Sequence, residues 1–158
     1  MGLSSNILWH QTTLDGLKGI LNEQGFFYSY SLESILSRES KNNLNVAFPM
    51  VSLCDLPFSE LNDYIKKYGG YLIGMKRTWG KSNGLAPVWY CDSESTILNA
   101  IIDRYNQIEV NIKNGKNFTI SREIFLYTLS HIKNYEGQLI AHDFNKYRFY
   151  DEREFRSV

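Results

Sequence analysis

The sequence predicts an α+β fold in one domain over residues 1–158, with strands toward both ends and a helical insert between them. Short apolar runs of strand length occur at residues 6–10, 46–57 and 71–76. From about residue 93 the apolar positions change to helical spacing, which predicts a helical insert over residues 93–134. The chain is long enough to bury a core of its own.

The first predicted strand leads directly into a helix. The run NILWH at residues 6–10 predicts a buried strand, and Thr12 or Thr13 then caps the helix. Gly25 ends that helix, because glycine is favoured just past a helix C-terminus. We expect the helix to bury one apolar stripe, formed by Leu14, Leu17, Ile20 and Leu21.

The next segment predicts one long strand between less regular regions. FFYSY at residues 26–30 predicts an extended segment, whereas the polar residues 37–45 predict a mobile loop. Residues 46–57 predict a strand in which Pro49, which has no N–H, fits only an edge, a bulge or the strand's start. Residues 57–70 predict a helix with proline in its first turn and two glycines after its end.

Strands and turns continue on both sides of the insert. YLIGMK at residues 71–76 predicts a third strand, and PVWYC at residues 87–91 predicts a fourth. Between them, residues 78–85 contain two glycines and predict a turn-rich connection. After the Glu-Gly pair at residues 136–137 the pattern becomes strand-like again up to the end of the sequence.

The helical insert divides into two predicted helices. Residues 114–117 break the period, and Ser121 then caps a second helix that continues to about Lys133. The apolar stripe predicted for the first helix consists of Ile97, Ile101, Tyr105, Ile108 and Ile112. The stripe predicted for the second consists of Phe125, Leu129 and Ile132.

Composition and charge exclude several classes of protein. The 17 basic and 17 acidic residues cancel, so the net charge gives no strong signal for general nucleic-acid or membrane binding. No apolar run approaches the roughly 18 residues that span a bilayer, and the N-terminus lacks the basic and apolar regions of a secretory signal. Cys54 and Cys91 form no CxxC pair. We therefore expect a cytoplasmic protein.

The pattern of histidines and cysteines predicts no metal site. The three histidines, at positions 10, 131 and 142, are scattered along the chain. Neither an HExxH motif nor a Cys/His cluster with metal-ligand spacing occurs.

His10 and Thr12 are two residues apart where the first strand meets the first helix. On a strand they would face the same side, where a neutral imidazole can hydrogen-bond a ligand hydroxyl beside the threonine. The alternative, which spacing alone favours, is that a nearby backbone group satisfies His10 and that Thr12 caps the helix.

Ser52 and Cys54 share one face of the second clear strand and would suit the wall of a groove. A nucleophilic serine needs a general base and an oxyanion site, and no GxSxG turn is present. Cys54 has no neighbouring histidine in the sequence, so a buried, inert thiol is the favoured interpretation.

Glu152 and Glu154 flank Arg153 near the end of the sequence. On a strand both carboxylates lie on one face, where they repel each other unless they are solvated or paired. In a regular strand we expect Arg153 and Arg156 to point elsewhere. The alternative interpretation is a solvated edge strand whose charges discourage aggregation.

Four segments together resemble one known family. They are ILWHQTTLDGLKGILNEQGF at residues 7–26, AFPMVSLCDLPFSELNDYIKKYGGYLIGMKRTWGKSNGLAPVWY at 47–90, IKNYEG at 132–137 and FYDEREF at 149–155. In this order they resemble the AbiGi family of abortive-infection proteins. The resemblance implies the antitoxin half of a bacterial phage-defence toxin–antitoxin pair, opposite a nucleotidyltransferase-like toxin. Its partner would be the cognate toxin, or a protein or nucleic-acid target in phage defence.

A shorter set of motifs resembles the ADP-ribosyltransferase superfamily. A strand ending in His10-x-Thr12, followed by a helix of LxxILxxG type, is similar to that superfamily's first motif. A glutamate on a late strand is similar to its third motif, and Ser52 is the candidate for the hydroxyl residue on the strand between. This resemblance implies a split β-sheet core with a cleft that binds NAD between two small sheets.

The same resemblance assigns roles to individual residues. His10 would hydrogen-bond the adenosine-side ribose, with Thr12 beside it, and the Gln11 backbone would hold the nicotinamide amide. Tyr28 or Tyr71 would stack on the nicotinamide ring. Glu154 would stabilise the positive charge that develops on the ribose, and Glu152 would orient the acceptor.

Two alternatives remain for how such a protein acts. It is either an active ADP-ribosyltransferase or NAD-consuming enzyme, or a catalytically inactive antitoxin that binds its toxin or the toxin's target. The sequence ends four residues after Glu154, whereas the resemblance implies more chain beyond this strand. We therefore expect either a natural short form or a missing C-terminal extension, with an open sheet edge beside the glutamate.

Overall fold

The computed structural model of the protein describes residues 6–37, 42–62, 65, 69–139 and 144–158. The strands are β1 (Ile7–Thr12), β2 (Ser29–Ser37), β3 (Asn42–Cys54), β4 (Tyr71–Lys76), β5 (Ala86–Pro87), β6 (Trp89–Cys91), β7 (Ile132–Asn134), β8 (Gly137–Leu139), β9 (Phe144–Tyr147) and β10 (Glu154–Ser157). The helices are α1 (Leu14–Glu23), α2 (Arg77–Ser82), α3 (Thr96–Lys113) and α4 (Thr119–Ser130), with 3₁₀ turns at Phe58–Glu60 and Phe149–Glu152. These elements confirm the α+β class.

The main sheet is antiparallel and is built around β3. Its strand order is β4-β1-β3-β10-β5, and β2 also pairs with β3. Cys54 of β3 is opposite both Trp9 of β1 and Glu154 of β10, so these two strands flank β3 on opposite edges. The strand predicted over residues 46–57 therefore corresponds to β3, the central strand of the sheet.

Both edges of β3 change partner near its middle. On one edge β1 pairs at Cys54, and β2 takes over from Met50 toward the N-terminal end of the strand. On the opposite edge, β10 pairs with residues 51–54. The end of β10 therefore leaves no room for β2 beside Met50 on that edge. β3 therefore has a gap between β1 and β2 along one edge, and β10 pairs with only the C-terminal part of its other edge.

Two small sheets and three apolar clusters complete the fold. β6 pairs with β7 in parallel, and β8 pairs with β9 in antiparallel. The largest cluster packs α3 and α4 against β2 and β3, through Ile35, Phe48, Met50, Leu98, Ile102, Leu129 and Ile132. A second cluster joins Leu8, Val51, Leu53 and Leu85, and a third joins Cys54, Leu56 and Leu61.

Several helical predictions need correction. Residues 78–85 are not simply a turn-rich connection, because α2 occupies most of that segment. In α1 no residue is buried, and Leu14 and Leu21 of the predicted stripe are 43% and 63% exposed. In α3 the predicted stripe is buried only in part: Ile108 is buried, but Ile97 is 68% exposed, and Leu98 and Ile102 are buried in addition. The helical spacing of apolar residues predicts these helices, but the elements that pack against each helix determine which of its faces is buried.

The helix boundaries follow from local capping. Thr13 is the N-cap of α1 and accepts a hydrogen bond from the Gly16 N–H, and Gln24 ends the helix in the left-handed region. Ser95 caps α3 through the Leu98 N–H. α4 begins two residues before Ser121, which was the predicted cap.

Strand predictions also change in detail. Residues 37–45 were predicted to form a loop, but β2 extends to Ser37 and β3 begins at Asn42; residues 38–41 lie outside the described residues. Residues 87–91 form two short strands, separated at Val88. The helix predicted over residues 57–70 is described only in part, as a 3₁₀ turn followed by helical residues 61, 62 and 65.

The end of the chain is an interior part of the sheet. β10 pairs with β3 on one side and with β5 on the other, so Glu154 does not lie on an open edge. The expectation of a solvated, charge-guarded edge strand is therefore wrong. Nor is the segment around the two glutamates a regular strand, because a 3₁₀ turn ends at Glu152 and Arg153 has a left-handed backbone with φ 47°.

Candidate functional site

A cleft of about 430 Å³ lies in the gap between β1 and β2, across the middle of β3. The strands around the gap come from distant parts of the sequence, and the end of the chain closes its floor. The described lining residues are His10, Gln11, Thr12, Gly16, Ile20, Phe26, Phe27, Ser29, Ser31, Glu33, Met50, Val51, Ser52, Lys133, Glu152 and Glu154.

His10 is fixed in the cleft wall by β3. Its Nδ1 lies 2.9 Å from the carbonyl oxygen of Ser52, so Nδ1 carries the proton and donates to that oxygen. Burial lowers the pKa of His10, although the bond to Ser52 opposes the shift. The ring is therefore neutral at pH 7, and its Nε2 has an acceptor lone pair. Phe26 packs edge-on against the ring, with centroids 4.9 Å apart.

The next two residues of β1 are held by loops near the cleft rim. The Gln11 side-chain amide donates a hydrogen bond to the carbonyl oxygen of Gly69. Thr12 lies so close to Gly16 that a side chain at position 16 would collide with the threonine hydroxyl. A side chain at position 16 would therefore force the Thr12 hydroxyl to move where the first turn of α1 meets the end of β1.

Ser52 and Cys54 do not form a nucleophilic centre. The Ser52 hydroxyl donates to the sulfur of Met50 at 3.5 Å, and thioether sulfur is not a general base. Cys54 is fully buried in the cluster with Leu56 and Leu61. The interpretation of Cys54 as a buried thiol, rather than a reactive one, agrees with this position.

The floor of the cleft is a network of buried charges centred on Lys133. The Lys133 Nζ is 3.0 Å from the Glu152 Oε2 and 3.0 Å from the Glu154 Oε2. It also lies 4.9 Å from the centre of the Phe149 ring. Tyr147 donates a hydrogen bond to Glu152. The left-handed turn at Arg153 thus directs both glutamates at one ammonium group.

Arg156 extends the network to a third carboxylate. Its Nε is 2.8 Å from the Glu154 Oε1, and its NH2 is 2.7 Å from the Glu33 Oε1. A further donor reaches the carbonyl oxygen of Ser130 at 2.7 Å. The arginine side chain is fully buried. It therefore joins β10 to β2 and to the end of α4.

The network sets the protonation states of its members. Burial by itself would raise the pKa of Glu154, but Lys133 and Arg156 outweigh it and hold that pKa well below the usual range. For Lys133, burial works to lower the pKa, but the surrounding carboxylates raise it well above its ordinary value. For Glu33, burial raises the pKa despite the attraction of Arg156.

Counted by formal charge, the floor has one more carboxylate than it has cations. It contains three carboxylates, on Glu33, Glu152 and Glu154, and two cations, on Lys133 and Arg156. Since the neighbouring His10 is neutral, it does not cancel the remaining charge. An arrangement of this kind stabilises positive charge on a ligand and offers acceptors to its hydroxyl groups.

Comparison with known proteins identifies the family. One family matches the chain over residues 24–158; its description reads "Putative abortive phage resistance protein AbiGi, antitoxin". The chain belongs to the AbiGi family. No curated protein and no solved structure matches the chain.

AbiGi membership gives the protein the role of an antitoxin in abortive infection, a form of phage defence. The match contains Glu33, Ser52 and every charged residue of the cleft floor, but it begins after His10, Gln11 and Thr12. The resemblance noted for residues 7–26 therefore lies almost wholly outside the matched part of this AbiGi chain.

The cleft of the AbiGi chain contains six of the eight site residues predicted from the sequence. These six are His10, Gln11, Thr12, Ser52, Glu152 and Glu154. The described lining does not include Tyr28 or Tyr71. The Tyr28 hydroxyl instead hydrogen-bonds the Ser157 hydroxyl at 2.7 Å, and Tyr71 lies on β4 opposite Thr12. Phe26 and Phe27 are the aromatic residues that line the cleft.

Sequence reasoning missed Glu33, Lys133 and Arg156. The expectation that Arg156 points away from the glutamates is wrong, because it bonds directly to Glu154. On a strand, positions 152, 154 and 156 all lie on one face, so the sequence pattern itself places Arg156 on the same side as the two glutamates. Lys133 was assigned to the end of a helix, and Glu33 was part of no motif.

Two further structural findings concern metals and membranes. Within the described ranges, no group of three or more potential metal ligands occurs. Among the helices that the structure describes, none has the length and apolar character needed to cross a membrane.

Acid stability is expected to depend on Glu154. Its folded pKa lies below the ordinary value of 4.5, so the ionised carboxylate contributes stability that is present above that pH and is lost as the pH falls toward the lowered pKa. Glu154→Gln should therefore make the loss of stability in acid shallower than in the wild type. Urea unfolding at about pH 7 and about pH 3.5 measures this difference.

Glu23→Gln is the matched control, since Glu23 is an exposed residue at the end of α1. It should reproduce the wild-type pH dependence. Equal acid sensitivity of the wild type and Glu154→Gln would show that the ion pairs of Glu154 do not hold its pKa down.

Proposed function

We propose that this antitoxin binds NAD in the cleft between β1 and β2 and acts on its target by chemistry of the ADP-ribosyltransferase type. The observation that supports the proposal is the convergence of His10, Ser52 and Glu154 on one cleft. They come from β1, β3 and β10, which are distant in sequence. The resemblance to ADP-ribosyltransferases implies an NAD cleft between two small sheets, whereas this polar cleft lies between two strands of one sheet.

The charged and aromatic residues of the cleft suit the nicotinamide riboside end of NAD. The nicotinamide ring of NAD is cationic, and the floor has one more carboxylate than it has cations. Phe26 and Phe27 provide aromatic surface beside the floor, in place of the tyrosines expected from the sequence. His10 offers an Nε2 acceptor for a ribose hydroxyl, because its Nδ1 is engaged by Ser52.

Glu154 would act through its charge and not by moving a proton. NAD supplies a ribose carbon that gains positive charge as the bond to nicotinamide breaks. A carboxylate with a strongly lowered pKa stays ionised and stabilises positive charge nearby. Glu152, which Lys133 and Tyr147 hold at the edge of the same floor, would orient the acceptor group.

Calorimetric titration of NAD into the intact protein tests the proposal. We expect saturable binding that His10→Ala weakens by about tenfold, because a hydrogen bond to the ribose is lost. His131→Ala is the matched control, since His131 lies outside the cleft, and it should bind like the wild type. The proposal fails if NAD does not bind, or if both histidine variants bind it equally well.

A specific observation favours a second candidate, an antitoxin that works by binding without catalysis. Lys133 and Arg156 already donate three hydrogen bonds to Glu154, which reduces its capacity to bond a substrate. Co-expression with the paired toxin separates the two candidates. If Glu154→Gln still rescues growth, protection does not require the chemistry.

A further inference from the structure

Two of the three carboxylates on the cleft floor have both oxygens occupied. Lys133 and Arg156 donate three hydrogen bonds to Glu154, which involve both its Oε1 and its Oε2. Glu152 accepts from Lys133 at Oε2 and from Tyr147 at Oε1. The side chains of Glu154 and Glu152 are only 8% and 4% exposed. Both carboxylates have therefore used most of their capacity to accept a hydrogen bond from a ligand.

Glu33, the third carboxylate, has one oxygen that the ion network does not use. Its Oε1 accepts from the Arg156 NH2 at 2.7 Å, whereas among the described residues no donor bonds its Oε2. At 13% its side chain is also the most exposed of the three, and it lines the cleft. A ligand in the cleft can therefore bond this oxygen without breaking an ion pair of the network.

The alternation of side chains along β2 places Glu33 in the cleft wall. Its odd-numbered residues Ser29, Ser31 and Glu33 line the cleft. Tyr30 and Leu32 point to the opposite face and are 78% and 69% exposed. Beyond Glu33, the cleft face of the strand is covered by the apolar cluster that β2 forms with α3 and α4. Glu33 thus lies where the buried core ends and the open cleft begins, with two serine hydroxyls on the same wall.

The pKa values of two of these carboxyls agree with the difference in their bonding. Burial raises the pKa of Glu33 despite the attraction of Arg156. Burial acts in the same direction on the pKa of Glu154, but Lys133 and Arg156 outweigh it and lower that pKa. The ionised form of Glu33 is thus less completely stabilised by its neighbours. A hydrogen bond donated by a ligand would supply part of that stabilisation.

The chemistry of this wall suits the hydroxyl groups of a ribose. An ionised carboxylate only accepts hydrogen bonds, whereas a serine hydroxyl both donates and accepts them. In dinucleotide-binding folds a single acidic residue bonds the ribose hydroxyl in this way. A phosphate group, in contrast, would be repelled by Glu33. The sugar of a nucleotide therefore fits the wall beside Glu33 better than its phosphates do.

We propose that Glu33 binds the hydroxyls of the nicotinamide ribose and is the residue that selects ligands carrying them. This inference rests on the NAD binding proposed above. It gives the two carboxylates that Arg156 joins different roles. Glu33 holds the ribose through hydrogen bonds, and Glu154 contributes its charge.

Two non-hydrolysable NAD analogues test the proposal, both with a cyclopentane ring in place of the nicotinamide ribose. One analogue keeps the two hydroxyls of that ring, and the other lacks them. We expect the wild type to bind the hydroxylated analogue at least about tenfold more tightly, because hydrogen bonds to a charged acceptor are the stronger kind. Calorimetric titration of each analogue into the intact protein measures this preference.

Glu33→Gln should reduce the preference to about twofold or less. The amide oxygen of the glutamine is expected to face Arg156, which leaves its NH2 group in the cleft where the acceptor was. Glu23→Gln is the matched control, since Glu23 is exposed at the end of α1, and it should keep the wild-type preference. A merely structural defect would weaken the binding of both analogues alike, so the ratio of the two affinities reports on the hydrogen bond alone.

Glu33→Asp is a second test that keeps the charge at this position. The side chain is shorter by one carbon, so the carboxylate cannot both pair with Arg156 and bond the ligand. The preference for the hydroxylated analogue should fall in this variant too. Urea unfolding checks that each variant is folded.

Three results would overturn the proposal. Equal binding of the two analogues by the wild type would remove the role of Glu33 and leave NAD binding intact. A preference that persists in Glu33→Gln and Glu33→Asp but disappears in Glu154→Gln would assign the hydrogen bond to Glu154. Failure of the wild type to bind either analogue would refute NAD binding itself, and the role of Glu33 with it.

Discussion

Arg156→Met is expected to destabilise the protein by about 3–5 kcal/mol, because it removes one partner from a buried ion network. Glu33 and Glu154 would lose their shared cation, and the carbonyl oxygen of Ser130 would lose its donor. Methionine fills a similar volume, so the loss would reflect charge and hydrogen bonding rather than a cavity. The free energy of unfolding in urea measures the effect.

Arg148→Met is the control for the loss of an arginine. Arg148 pairs with Asp151 at 2.7 Å, but the two side chains are 56% and 53% exposed. Exposed pairs of this kind contribute little to stability, so the urea midpoint should not change measurably. If Arg156→Met were as stable as Arg148→Met, the buried network would not hold β2, β10 and α4 together.

If NAD binds as proposed, Glu154→Gln is expected to reduce its turnover by about 100-fold or more, because it removes the carboxylate proposed to stabilise positive charge on the ribose. The amide keeps the size of the side chain and an acceptor oxygen, so binding of NAD should fall much less than turnover. The release of labelled nicotinamide by intact protein, in the presence of toxin and cell lysate, measures the rate.

Two other variants are the controls for this experiment. Glu23→Gln carries the same substitution at an exposed position on α1 and should turn NAD over at the wild-type rate. Arg156→Met separates a structural effect from a chemical one, since it disturbs the network without removing the Glu154 carboxylate. If turnover survived both Glu154→Gln and His10→Ala, the assignment of the site would be wrong.

Local patterns predicted the strands better than they predicted which residues are buried. The runs at residues 6–10 and 71–76 are strands, and His10 bonds a backbone carbonyl as spacing alone predicted, although it and Thr12 also line the cleft. The helical period around residue 97 was also recognised. Packing against β2 and α4, which the period does not encode, adds Leu98 and Ile102 to the buried face and leaves Ile97 exposed.

The network below the cleft could not be derived from spacing. Glu33 and Arg156 are 123 positions apart and meet only because β2 and β10 both pair with β3. The turn at Arg153 requires a left-handed backbone at a non-glycine residue, which sequence patterns rarely indicate. The Tyr28 and Tyr71 assignments depended on family resemblance alone, and the aromatic residues that line the cleft are neighbours of Tyr28 in the sequence.

A crystal structure of the protein with a non-hydrolysable NAD analogue tests the account most directly. The account predicts that the nicotinamide riboside end lies on the charged floor, with a ribose hydroxyl within hydrogen-bonding distance of the His10 Nε2 or the Glu154 carboxylate. Binding of the analogue away from the gap between β1 and β2, or no binding at saturating concentration, would contradict it.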